Sequence, residues 1–414
     1  MRGNTRTDDF GTCQRSTLYS KFSTISVVML LPAFFLYQVL ISYGVMPPFA
    51  GGYFTAACFA LLPLLTITYF LCHGKRAVIQ THDFVYFAFL IYFATIALSH
   101  RALGAEKYLL EWHLISSIQM ASMYLAFKGA FSTLHKNRNL LIFLSATLAA
   151  IVICLSSDGA FNPRSGSAEN ESIVSYQGFA LSLFLMSCLS IFLSGTTLLR
   201  LSLYALSLAA LYLNGARSEF AGFLIFSTCF EFFRSKSKPI GIFILAIIIV
   251  ATTSVFLFGV VEIPSNRVTN LLNLESDNSS NIRNEIAISG IEKILQSPLT
   301  GSYGDYEQGL YIHNIFSSWQ DLGLIGFVFF CLLITVPIAS LLKRVLLSRN
   351  SSTADCMVLS LLISAFILLI FGKYFTYLVV PAVLGLYSGL VRSRSRVEST
   401  ALSDGSDNPE LRRH

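Results

Sequence analysis

Arg217, Arg283 and His313 are the side chains whose types and settings suit chemistry carried out together. A guanidinium is permanently charged, and its planar fork of donors grips two oxygens of a phosphate or carboxylate at once. Histidine has an ordinary pKa near neutrality, so it can take the proton of a weak nucleophile such as a hydroxyl. Two fixed cations beside an imidazole suit a reaction in which an anion departs while a hydroxyl attacks. A departing charge must be met either by a metal or by fixed cations. The stretch around Arg283 and His313 has no acidic cluster with metal-ligand spacing. No metal and no cofactor are therefore expected.

Each of the three also has a plainer reading. Arg217 follows Asn214-Gly215-Ala216 and precedes Ser218-Glu219. Glycine permits a sharp reversal there, and Ser218 is expected to cap a following helix whose free N–H groups would help seat an anion. Alternatively, Arg217 pairs with Glu219 or snorkels to headgroups. Around Arg283 the apolar residues fall at 282, 286, 291, 294 and 295. This spacing predicts an amphipathic helix over Asn281–Gln296, its apolar side on the bundle or the membrane surface. Arg283 then lies in the first turn, where a cation opposes the helix dipole unless it shares an anion. The plainer alternative is a solvated charge near Glu285. His313 ends a polar loop in Tyr311-Ile312-His313-Asn314, ahead of the interface-type anchor Trp319. Its plainer alternative is a structural histidine.

The rest of the chain has to position these residues. It has 414 residues, 54% of them hydrophobic and 13% charged, with a mean hydropathy of +0.64. Soluble domains carry about 25% charged residues, so a large soluble core does not account for the deficit. The apolar residues come in blocks of about 20, the length that crosses a hydrocarbon core as a helix. The fold class expected is an all-α, polytopic integral membrane protein of about twelve spans. These are Ser26–Val45, Tyr53–Cys72, Asp83–Ser99, Leu110–Phe127, Leu140–Ser157, Ile173–Ser194, Thr197–Leu213, Ser218–Phe233, Ile240–Val261, Asp321–Leu342, Ala354–Phe371 and Thr376–Val391. The domain plan is a tail over 1–25, spans over 26–261, a large polar loop over 262–320, further spans over 321–391 and a basic, disordered tail over 392–414. The first apolar run is too long for a cleavable leader and is read as a retained span. The eight cysteines are scattered without a C-x-x-C pair, as expected of small buried hydrophobes rather than a disulfide or zinc framework.

Lysine and arginine test this topology. A cytoplasmic N-terminus places most of the 29 basic residues on the inner side and leaves the outer face net acidic. The few basic residues outside are then Arg101, Lys107, Arg164, Arg217, Arg267, Arg283, Lys293 and Lys373, each in need of a reason. Charges within spans sit near their ends, not at a midplane where an ion-coupled carrier keeps ionisable groups. Paired broken helices of an inverted repeat are not evident. A carrier or flippase for lipid-linked oligosaccharide therefore stands as the alternative of a different class. A membrane scaffold is a third.

Over roughly Leu199 to Leu333 the sequence resembles the O-antigen polymerase and O-antigen ligase superfamily of bacterial envelopes. The likeness lies in Asn214-Gly215-Ala216-Arg217-Ser218 after an apolar span and in Asn281-Ile282-Arg283. It continues through Pro298, Gly301 and Gly304, then His313-Asn314 leading into Gly323-Leu324-Ile325-Gly326. What the resemblance implies is a metal-independent helical glycosyltransferase of the inner membrane, working on the periplasmic face with an undecaprenyl-diphosphate-linked oligosaccharide. Arg217 and Arg283 would hold the diphosphate and His313 would assist the acceptor hydroxyl. The acceptor would be another glycan in a polymerase of O-antigen or exopolysaccharide repeat units, or lipid A-core in a ligase. Membrane lipids, a chain-length regulator and a flippase are the implied partners, and no nucleic acid.

Overall fold

The protein is described by a computed structural model over residues 18–47, 52–73, 80–157, 159–161, 176–235, 278–307, 309–347 and 351–406. Among these residues the regular structure is helical, with one isolated bridge between Ser157 and Ala160. The helices are α1 (Leu18–Ser42), α2 (Tyr53–His73), α3 (Thr81–Ala102), α4 (Lys107–Ala130), α5 (Arg138–Cys154) and α6 (Tyr176–Leu193). They continue as α7 (Thr197–Asn214), α8 (Arg217–Arg234), α9 (Asn278–Gln296), α10 (Ser317–Leu347), α11 (Thr353–Phe371) and α12 (Val379–Ser406). Six of them, α1, α2, α3, α7, α10 and α11, are long and apolar enough to cross a membrane. The expected spans coincide with helices except the ninth, Ile240–Val261, which lies outside the described residues, as do Arg164 and Arg267.

Local chemistry explains where the helices bend and stop. Pro32 lacks an N–H and crowds the preceding turn, and α1 widens to a π-turn over Met29–Ala33 at that point. Gly215, with φ of 72°, ends α7 in the left-handed conformation that suits a glycine C-cap. Ser352 and Asp355 form a reciprocal capping box at the start of α11. α4 lies against α12, and α8 against α11. Gly389 lets the α4–α12 crossing tighten, since a Cβ there would lie 2.7 Å from the Lys128 carbonyl oxygen.

Three expectations are corrected. The α8 N-cap is Ala216 and makes no side-chain cap bond, so Ser218 belongs to the first helical turn and caps nothing. α9 starts at Asn278 rather than Asn281, which moves Arg283 beyond the first turn and weakens the dipole penalty. The segment expected to be a disordered tail from Arg392 is helical to Ser406. Its Arg394 pairs with the buried Asp355, which also receives Arg344 Nε at 3.3 Å. An ion pair thus holds that arginine on the bundle.

The apolar face of α9 is divided. Ile294 is buried, whereas Ile288, Ile291 and Leu295 are exposed. Gly290 sits so close to Ile312 that a side chain there would collide with it. α9 therefore rides on the segment carrying His313.

Candidate functional site

At one end of the bundle the α7–α8 turn, α9, the 311–313 segment and the 372–378 connector between α11 and α12 surround a cavity of about 730 Å³. Arg217, Arg283 and His313 all line it, despite their separation in sequence. Arg217 is brought there by the left-handed Gly215 reversal and Arg283 by α9. His313 is placed by Ile312, which is buried beneath Gly290. The Tyr311 ring packs on the imidazole, with centroids 4.6 Å apart.

Lys373 is a further cation on the cavity wall. Its Nζ donates to Glu219 Oε1 at 2.6 Å, and Tyr377 OH donates to the same oxygen at 3.2 Å. Glu219 is buried, and an ionised carboxyl in such a place requires this kind of pairing. Lys373 thus pairs with Glu219, the residue named above as the plainer partner of Arg217. The site's electrostatics register on His313. Burial pushes its pKa down, and Arg283 and Lys373 push it further, to about 4. The imidazole is therefore neutral at pH 7, with a lone pair to accept a proton.

Behind the cavity wall lies a buried polar network that sequence reasoning missed. With Tyr374 OH donating to Asp321 Oδ2, its oxygen accepts from His113 Nε2 at 2.9 Å. His113 Nδ1 then accepts from Tyr303 OH at 2.8 Å. Asp321 also takes Tyr306 OH and the Gly304 N–H, each at 3.1 Å. His113 and Asp321 have fully buried side chains. The network ties α4, the loop, α10 and the 372–378 connector together, and so fixes Tyr374 and its neighbour Lys373 at the cavity. The available signal was two ionisable residues at span ends on one side of the bundle, facing a tyrosine-rich loop.

The glycines of the loop do a separate job. Ser302 N donates to Gln320 O at 2.7 Å and Leu324 N to Leu299 O at 3.2 Å. Trp319 Nε1 donates to Pro298 O at 2.7 Å. Gly301 (φ 74°) and Gly323 (φ 70°) lie where backbone meets backbone, and a Cβ on either would strike the opposing carbonyl. At Gly323 the α10 backbone leaves helical geometry. The freed Leu322 carbonyl accepts from Tyr92 OH at 2.9 Å, a partner of the kind a kink demands.

No protein-family model, curated protein or solved structure matches this chain. Among the described residues no three His, Cys, Asp or Glu side chains gather in a metal-type cluster.

Proposed function

We propose that the chain is a membrane glycosyltransferase that uses a polyprenyl-diphosphate-linked glycan at the outer membrane face, as a polymerase of O-antigen or exopolysaccharide repeat units. The observation that supports this reading is the convergence of Arg217, Arg283 and His313, with Lys373, on one cavity. In the proposed step the acceptor hydroxyl attacks the anomeric carbon. The new glycosidic C–O bond forms as the bond from that carbon to the diphosphate oxygen breaks. The carrier leaves as its diphosphate, its charge met by the cations, and the hydroxyl proton passes to His313. Fixed donors aimed at developing charge stabilise such a step without reorganising, and bidentate guanidiniums suit a diphosphate.

Genetics tests it directly. A deletion strain should display surface glycan of a single repeat unit on a banding gel, and wild-type chain should restore the ladder. Arg217→Ala, Arg283→Ala or His313→Ala chains present at wild-type levels should not restore it. A full ladder from all three sinks the enzyme reading. Long glycan left on its carrier lipid in the deletion strain would instead identify a ligase that uses lipid A-core.

A further inference from the structure

The cavity has two chemically different walls. Besides the cations, it is lined by Gln38 of α1, Phe54 of α2, and Trp112, Ser116 and Gln119 of α4. The α4 residues are spaced by four and then three, which puts them on one helix face. This wall carries no charge, yet it is rich in amides. Gln38 is only 7% exposed, and its Oε1 has no hydrogen-bond partner. Its backbone is pinned by Ser42 Oγ, which donates to the Gln38 carbonyl at 2.6 Å. Gly178 of α6 leaves just enough room for the amide, since a Cβ there would lie 2.8 Å from both Nε2 and Oε1. The terminal amide torsion is soft, and turning it presents the unmet oxygen to the cavity. Gln119 Nε2 is held by Thr55 Oγ1 at 3.1 Å, which orients that amide from behind. Trp112 joins the two walls, stacked on Tyr374 at 5.0 Å and tilted against Tyr311 at 5.3 Å.

Neutral amides cannot balance a diphosphate, and against a polyprenyl chain they would be buried unpaired. Their fit is to groups that both donate and accept, as sugar hydroxyls and acetamides do. The cavity volume lies within the roughly 300–1,000 Å³ of pockets that enclose a small-molecule ligand. We infer that Gln38, Ser116, Gln119 and Trp112 form a saccharide subsite that grips the donor's first sugar while Arg217, Arg283 and Lys373 grip its diphosphate. This rests on the glycosyltransferase reading above.

The test compares binding of two probes to the purified full chain in lipid nanodiscs. One is bare undecaprenyl diphosphate and the other is the same carrier bearing one N-acetylglucosamine. Wild-type chain should bind the sugar-bearing probe at least about tenfold more tightly. Gln38→Leu, and independently Gln119→Leu on a different helix, should shrink that preference below about threefold and leave affinity for the bare carrier unchanged. Preference retained in both variants, or absent from wild-type chain that binds the bare carrier, overturns the subsite alone. Wild-type chain that binds neither probe overturns the diphosphate reading, and the subsite falls with it.

Discussion

His313 illustrates how a site can set its own chemistry. Burial and the nearby Arg283 and Lys373 hold its pKa to about 4 against an ordinary value of 6.5. A group depressed in this way stays neutral in the folded chain while the unfolded chain takes up a proton. Its contribution to stability is therefore complete above about 6.5 and is lost as pH falls through about 4. A bound diphosphate would offset the two cations and raise the imidazole toward the neutral range in which a general base works best. Two outcomes are expected. The acid limb of kcat should lie at higher pH than that of kcat/KM, because the first reports the occupied site and the second the empty one. Arg283→Gln should move the kcat/KM limb upward from about pH 4. A limb that stays in place in the variant, measured across pH 3.5–8, refutes the coupling. Truncating Arg217 to Ala should lower kcat by about 10²–10³, the usual cost of losing one donor to developing charge.

Among the elements, the loop between α9 and α10 and the 372–378 connector depend on hydrogen bonds that cross sequence distances of tens to hundreds of residues. Tyr374→Phe keeps the ring packed on Trp112 and removes the hydroxyl shared by His113 and Asp321. It should cost about 1–3 kcal/mol, the penalty of leaving buried polar groups unpaired, read as a lower thermal midpoint in detergent. An unchanged midpoint would show that the network bears no weight. Little of this was legible in the sequence. The helices were, because blocks of apolar residues leave few alternatives to a helix, and six of them are long and apolar enough to cross a membrane. Arg217 and Arg283 stood out because cations on a face expected to be acidic need a reason, and His313 because it was expected on the same side; the cavity brings the three together. The start of α8 was misread because Ala216 begins that helix without a side-chain cap, although the sequence offered Ser218 for the purpose. Lys373, His113, Asp321 and Gln38 gain their significance only from neighbours on other helices. Beside the ionisable residues at the helix ends, a further trace was the polar and aromatic stripe of Trp112, Ser116 and Gln119 on α4, which an apolar span would otherwise lack.

At the scale of the whole molecule, buried ion pairs join the helices. Away from the cavity, Asp83 and Lys128 form a buried pair to which Tyr69, Tyr124 and Ser388 also donate. Arg200 Nε meets Glu231 at 2.6 Å. These pairs join α3, α4 and α12, and α7 with α8, where close packing leaves little room for repair. Removing one partner of a buried pair is far worse than removing both. Lys128→Met should destabilise the chain by about 3–5 kcal/mol, and the further change Asp83→Leu should recover much of that loss. Equal thermal midpoints for the single and double variants would contradict this account.

The seam where residues 299–302 lie backbone to backbone on 319–324 leaves no gap for a lipid tail to slip through. A long isoprenoid reaching the cavity from the bilayer must come by another doorway. Gly178 and Gln38 line the cavity on the flank between α1 and α6, and that flank is the doorway to test. Bulk added at Gly178 should act as a bolt on that door, slowing carriers with long tails while sparing short, soluble analogues that arrive from the water side.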